Sequence, residues 1–400
     1  MTSFTLICAY LRAKPLQAVL NVLLLALGVA TIVFALGTSR ELQRGFTRDL
    51  AGIDLVVGAK GSPLQIILSG VFHLDVPTGN IPLEEANKLR SNPLIAKTIP
   101  LSIGDSYKGF RIVGSESLYL EHFKASFASG GVWSKPLEIV AGAHTGMAQS
   151  SRFASVHGLG TGGHEHGDSL YTVTGVLAPC ACVLDRLLIT SLDSVWQVHE
   201  TATAEDESDK AVMRAEREVT LLLLQYRTPL AAVTLPRLIN SQSGLQAASP
   251  AYEVARLMKL VGTGADALQA FGLVLMLASG VALFVALLNA LNERKADLAM
   301  LRMLGASGAK LASLLIGEAL LLGLAGFALG WLLGRGLTAV LTWLVAAQQG
   351  GKAGFEAAVW ALQASDALVL AATLAVAALS ALVPLKRLYD LDIASTLTRS

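Results

Sequence analysis

Charge is scarce in this sequence. Only 15% of its 400 residues are Asp, Glu, Lys or Arg, against 53% that are hydrophobic, and a mean hydropathy of +0.56 is too apolar for an ordinary globular enzyme. The 31 basic and 30 acidic side chains nearly cancel, which leaves no cationic excess to hold a phosphate backbone, so no nucleic-acid partner is expected. A phosphate-binding loop of the form G-x-x-x-x-G-K-[ST] is also absent. The nearest stretch, Gly350-Gly351-Lys352-Ala353, lacks both the first glycine and the hydroxyl, so the chain is not expected to hydrolyse ATP itself. No H-E-x-x-H pair occurs, which excludes the helical i, i+4 zinc geometry of a metalloprotease. Cysteine is nearly missing. Cys8, Cys180 and Cys182 cannot supply the several long-range bridges of an oxidised scaffold. In an extended strand, residues two apart lie about 6.6 Å apart, so a Cys180–Cys182 bridge is expected to be strained.

Long apolar runs, by contrast, are present. A helix crossing the hydrocarbon core needs about 20 mostly apolar residues, and 16–37, 267–291, 311–333 and 366–384 meet that length. A signal-peptide apolar region runs to only about 7–15 residues, so 16–37 reads as a retained span. Arg12 and Lys14 precede the first run, Arg294, Lys295, Arg302 and Lys310 lie between the second and third, and Lys386 and Arg387 follow the fourth. The positive-inside rule puts all three flanks in the cytoplasm. The expected order is therefore a cytoplasmic N-terminus and first span (1–37), an extracytoplasmic domain with a stalk (38–264) and a second span (265–291). A cytoplasmic loop (292–310), a third span (311–334), a short outer loop (335–365), a fourth span (366–384) and a cytoplasmic tail (385–400) complete it. The fold class is a four-helix membrane domain plus a large mixed α/β domain, multi-pass in a bacterial inner membrane.

Within the outer domain, alternating apolar residues predict strands at 54–58, 95–103, 110–114, 171–177, 184–190 and 219–225, and helical periodicity predicts helices at 83–90, 191–199 and 230–239. The charged stretch 201–218 reads as a solvated loop or exposed helix, with a docking surface as the alternative. Pro250 opens a helical pattern that runs toward the second span, with Gly262 and Gly264 between them, and so makes a stalk able to pass on displacement.

The loop between the second and third spans places Leu298, Leu301 and Leu304 at a three-residue spacing, bracketed by Glu293, Arg294, Lys295 and Arg302, and Gly305 ends the pattern. Such a helix can lie on lipid headgroups or seat in a protein partner, and its physics alone does not choose. Its residues do carry a resemblance. Asn292-Glu293-Arg294, then Leu301-Arg302-Met303-Leu304-Gly305-Ala306-Ser307, with Glu318 in the third span, resemble the FtsX-like, MacB-type permeases of ATP-binding cassette transporters, the group of MacB and LolC/LolE, here without a fused ATPase. The outer-domain segment 54–61, DLVVGAKG, resembles the same group more loosely.

That resemblance implies a MacB-like outer domain and a homodimer or a paired permease, carrying a separate cytoplasmic ATPase that binds the ATP and magnesium. Glu293, Arg294, Lys295, Leu298, Leu301, Arg302, Leu304, Gly305 and Ala306 would be the coupling helix. The chain itself would be a non-catalytic subunit that holds no cofactor directly and passes ATP-driven motion to a substrate at the outer face, with a periplasmic or outer-membrane partner and membrane lipid as further contacts. The alternative within the family is a regulatory permease that activates an outer-face enzyme.

All seven histidines fall in the outer domain. His157, His164, Glu165 and His166, in and beside a glycine-rich stretch, can be read as a flexible loop or as a Zn²⁺ or Cu²⁺ site. A membrane-anchored metalloenzyme built on them lacks a general base at any recognisable spacing. Glu318 is the carboxylate well inside a span, and an inter-helix hydrogen bond fits it better than a proton relay, since no second acid or histidine lies near it in the sequence.

Overall fold

The computed structural model describes residues 3–158, 165–203, 206–348 and 357–389. The chain enters through helices α1 (Ser3–Ala13) and α2 (Pro15–Asp49). There follow β1 (Leu55–Ala59), α3 (Pro63–Gly70), β2 (Ile81–Pro82), α4 (Leu83–Arg90), β3 (Ile95–Tyr107), β4 (Phe110–Ser115) and α5 (Ser117–His122). Next come β5 (Phe127–Gly130), β6 (Glu138–Ala141), β7 (Arg152–His157), β8 (Glu165–Leu177), β9 (Leu187–Ser191), α6 (Leu192–Thr203) and α7 (Glu207–Ala215). The domain closes with β10 (Glu218–Val219), β11 (Leu221–Tyr226), α8 (Pro229–Gln242) and β12 (Leu245–Ala248). Helices α9 (Pro250–Glu293), α10 (Lys295–Met303), α11 (Gly308–Gln348) and α12 (Ala364–Tyr389) end the described chain.

Two compact units result, one holding 42–260 and 342–354 and the other 1–41, 261–341 and 355–400. The first is built on a ten-stranded mixed sheet of order β12-β1-β11-β3-β4-β9-β6-β8-β5, with β7 paired to β3 and β8. The run Leu221–Leu224 explains how the sheet is covered. Successive side chains of a strand point to opposite faces, so Leu221 and Leu223 enter a core with Ile66, Ile67, Tyr119 and Leu120, contributed by α3 and α5. Leu222 and Leu224 enter a second core with Ala86, Ala231, Leu235 and Ile239, contributed by α4 and α8. All four leucines are buried, as expected of a strand covered on both faces. Each contributes about 1.5–3 kcal/mol by leaving water.

The bridge Cys180–Cys182 is formed, with its Cα atoms 5.1 Å apart. This departs from the strained extended geometry expected above, because Ala181 between them has φ +55°. That left-handed turn brings the two sulfurs together without an extended backbone. The same turn shortens the strand expected at 184–190, whose first residues lie in a single 3₁₀ turn, Val183–Arg186.

Among the described residues, four helices are long and apolar enough to cross a membrane, α2, α9, α11 and α12, and their apolar stretches lie in the second unit. Leu25, Met276, Leu283, Leu315, Leu322 and Ala377 pack at their centre. On α11 a ridge of small residues faces α2: a methyl group on Gly330 would lie 2.6 Å from the Ala26 carbonyl oxygen, and one on Gly334 2.8 Å from that of Ala30. Glycine is what lets the two backbones approach this closely. Only 33% of the most apolar stretch of α9 and of α12 is buried. Leu273 and Leu277 on α9 and Leu379 on α12 are among the outward side chains, as a lipid-facing surface requires.

The short outer loop expected at 335–365 is a correction. Helix α11 continues to Gln348, and Arg335, where the sequence reading ended the span, is 2% exposed. Its guanidinium donates to Asp366 Oδ2 at 2.6 Å and to the Val359 carbonyl at 3.1 Å. A charge that finds its partner inside the bundle does not terminate a helix.

Candidate functional site

Helix α10 forms the turn between α9 and α11, and its ends are built by local sequence. The chain breaks at Arg294 and resumes at Lys295. At the far end Gly305 has φ +94°. Its N–H donates to the Arg302 carbonyl at 3.1 Å, and the Ala306 N–H donates to that of Leu301 at 3.0 Å. This pairing is a Schellman cap, in which glycine supplies the left-handed residue without a steric penalty.

The side chains of this segment divide into two sets. Leu298 is 8% exposed and packs with Ile7, Leu291, Leu311, Leu314 and Leu388, while Leu301 and Ala306 lean on the same cluster. The outward set is Met300, Met303 and Leu304, which are 56%, 69% and 81% exposed. The expected stripe of Leu298, Leu301 and Leu304 is therefore not one face. At about 100° per residue, each three-residue step rotates the side chain by about 60°, so Leu298 points in, Leu301 lies at the edge and Leu304 points out.

Arg294 is also an inward residue, although the resemblance placed it on the coupling surface. Its guanidinium donates to Glu318 Oε2 at 3.1 Å and lies 4.0 Å from the centre of the Tyr10 ring. The two side chains are 14% and 9% exposed. Glu318 thus has a hydrogen-bonded partner on the break between α9 and α10, and Arg294, α1 and α11 are tied together there. Glu293 pairs with Lys14. Lys295 is exposed and Arg302 half-buried. The sequence had marked Glu318 and Arg294 separately, with no signal linking them across 24 residues.

In the outer domain the histidine reading is altered. His157 ends β7. His164 lies outside the described residues, and Glu165 and His166 open β8, with Glu165 in register with Val156. Among the groups that meet His157 are Asp105 of β3 and His199 of α6. Nδ1 of His157 is 3.2 Å and Nε2 of His199 3.7 Å from the same oxygen, Asp105 Oδ1. Asp105 carried no sequence signal, and His199 was noted only as one of seven.

Residues 270–393 match the FtsX-like permease C-terminal family. Solved structures similar to the chain include the periplasmic region of MacB from Actinobacillus actinomycetemcomitans, at 10% identity, 52% of this chain and 95% of that chain covered, TM-score 0.34. Another is the extracellular domain of the noncanonic ABC-type transporter YknZ from Gram-positive bacteria, at 11% identity, 49% and 98% covered, TM-score 0.30. No curated protein matches the chain in sequence. The match on 270–393 takes in α10 with its glycine cap, the buried Arg294–Glu318 pair and the glycine ridge of α11, so this segment is similar to the C-terminal part of the FtsX-like permeases.

Proposed function

We propose that the chain is the membrane subunit of an ATP-driven transporter of the inner membrane, moved by a separate cytoplasmic ATPase and acting on a substrate at the outer face. The observation that carries this reading is the construction of α10. A helix that only rested on lipid would need no more than an apolar face. This one is fastened to the bundle by Leu298 and Arg294 while Met300, Met303 and Leu304 project from it. Exposed methionines adapt to a partner groove, and the exposed cations Lys295 and Lys310 flank them. A seated helix anchored in this way moves with α9 and α11 when the partner moves. The basic flanks put α10 in the cytoplasm, and α9 is one unbroken helix from Pro250 to Glu293, a continuous element along which displacement can pass to the outer domain. In this reading the chain is non-catalytic. It pairs with a second copy or a related permease through the outward apolar faces of the bundle, and a periplasmic or outer-membrane partner meets the outer domain.

The experiment is co-purification in detergent with the co-expressed ATPase. Met303→Asp with Leu304→Asp should reduce ATPase recovery about tenfold or more, since a charge is forced into an apolar contact, with membrane insertion unchanged. Full recovery with the double variant would refute the assignment of this face to the ATPase.

A further inference from the structure

We propose that Asp105, His157 and His199 form a three-donor site for a divalent transition metal, with Zn²⁺ the ion that fits. Asp105 and His157 are register partners across the antiparallel pair β3–β7, and α6 brings in His199. The three donor atoms lie within 4.8 Å of one another. A tetrahedral Zn²⁺ with bonds of about 2.0–2.1 Å holds its donors about 3.3 Å apart. The 3.2 and 3.7 Å separations from Asp105 Oδ1 already match that spacing closely. Two imidazoles and a carboxylate suit Zn²⁺ by donor type as well.

The placement of protons suits a cation here. His199 Nδ1 lies 2.8 Å from the Val195 carbonyl oxygen one turn earlier. A carbonyl only accepts, so Nδ1 carries the hydrogen, and in the neutral ring Nε2 is left with its lone pair. That lone pair faces the carboxylate oxygen of Asp105. A metal ion placed between these two atoms would accept a lone pair from each. The other oxygen of Asp105 accepts a hydrogen bond from Ser155 Oγ at 3.1 Å, an orienting contact of the kind that holds metal-binding carboxylates in place.

Access points to an exchangeable ion. The Asp105 side chain is 2% exposed, while those of His157 and His199 are 60% and 35% exposed, so the charge lies at the base and the imidazoles at the rim. A cavity of about 310 Å³, lined by His157, His199, Glu200 and Glu218 among others, provides a path of entry. Three protein donors leave a fourth position for water, whereas closed structural zinc sites use four.

The test is Zn²⁺ titration of the full chain, purified in detergent without a histidine tag and stripped with chelator. Wild type should take up about one Zn²⁺. Asp105→Asn and His199→Ala should each weaken binding roughly tenfold or more, while His164→Ala with His166→Ala should leave it nearly unchanged. His157→Gln, on a largely exposed side chain, gives the same reading with no demand on the core. Co²⁺ should give the visible bands of a four-coordinate site in wild type and lose them in His199→Ala. No uptake by wild type would overturn the proposal. So would unchanged uptake in Asp105→Asn, His157→Gln and His199→Ala, or loss confined to the His164/His166 variant.

Discussion

Single residues in the outer domain set its response to acid. His73 is buried, its Nε2 lies 3.1 Å from the Tyr119 hydroxyl, and its Nδ1 has no hydrogen-bond partner. Burial first, and then the Arg111 and Arg186 guanidinium groups, hold its pKa well below 6.5. Burial also lowers that of His122. The unfolded chain binds protons near pH 6.5 while the folded one does not. Stability is therefore full above that pH and lost as pH falls from there through the folded-state values. Each such histidine contributes a slope of up to about 1.4 kcal/mol per pH unit, and tryptophan fluorescence in chelator should show the melting temperature falling by about 3–5 °C per unit. His73→Gln should flatten this acid limb. A limb of unchanged slope would mean that other groups carry it.

At the scale of elements, a buried ion pair joins α11 to α12 beside their apolar packing. Arg335 and Asp366 are 2% and 6% exposed at 2.6 Å, and removing one partner leaves the other charge buried alone. Asp366→Ala should cost about 3–5 kcal/mol, and Arg335→Met with Asp366→Leu should restore most of it, because an apolar pair of similar volume has no desolvation penalty. Unfolding of the detergent-solubilised chain by denaturant measures both. A double variant no more stable than Asp366→Ala would argue against the pair as the cause. Elements with strong periodicity were legible in the sequence. The helix expected at 83–90 is α4 (Leu83–Arg90), and that expected at 230–239 lies within α8 (Pro229–Gln242). The short strand β5 was not, since all four of its residues are exposed and no alternation marks it.

For the whole molecule the basic flanks of the spans predict one orientation across the membrane. A cysteine at Ser208, exposed in the outer domain, should react with a membrane-impermeant thiol reagent in cells with an opened outer barrier, while one at Ser307, exposed beside α10, should not. Equal labelling, or the reverse, would refute the orientation drawn from the basic flanks. The sequence by itself determined that four helices have the length and apolarity to span a membrane, that a mixed domain lies between the first two, and that a glycine-ended amphipathic helix joins the second to the third. These follow from composition and local period, which act between neighbours in the chain. Only the tertiary structure decided that Arg294 belongs with Glu318, Arg335 with Asp366, and Asp105 with His157 and His199. Each of these pairings brings together residues far apart in sequence, and the low-dielectric interior makes a lone charge costly, so its partner is chosen by packing and leaves no periodic trace.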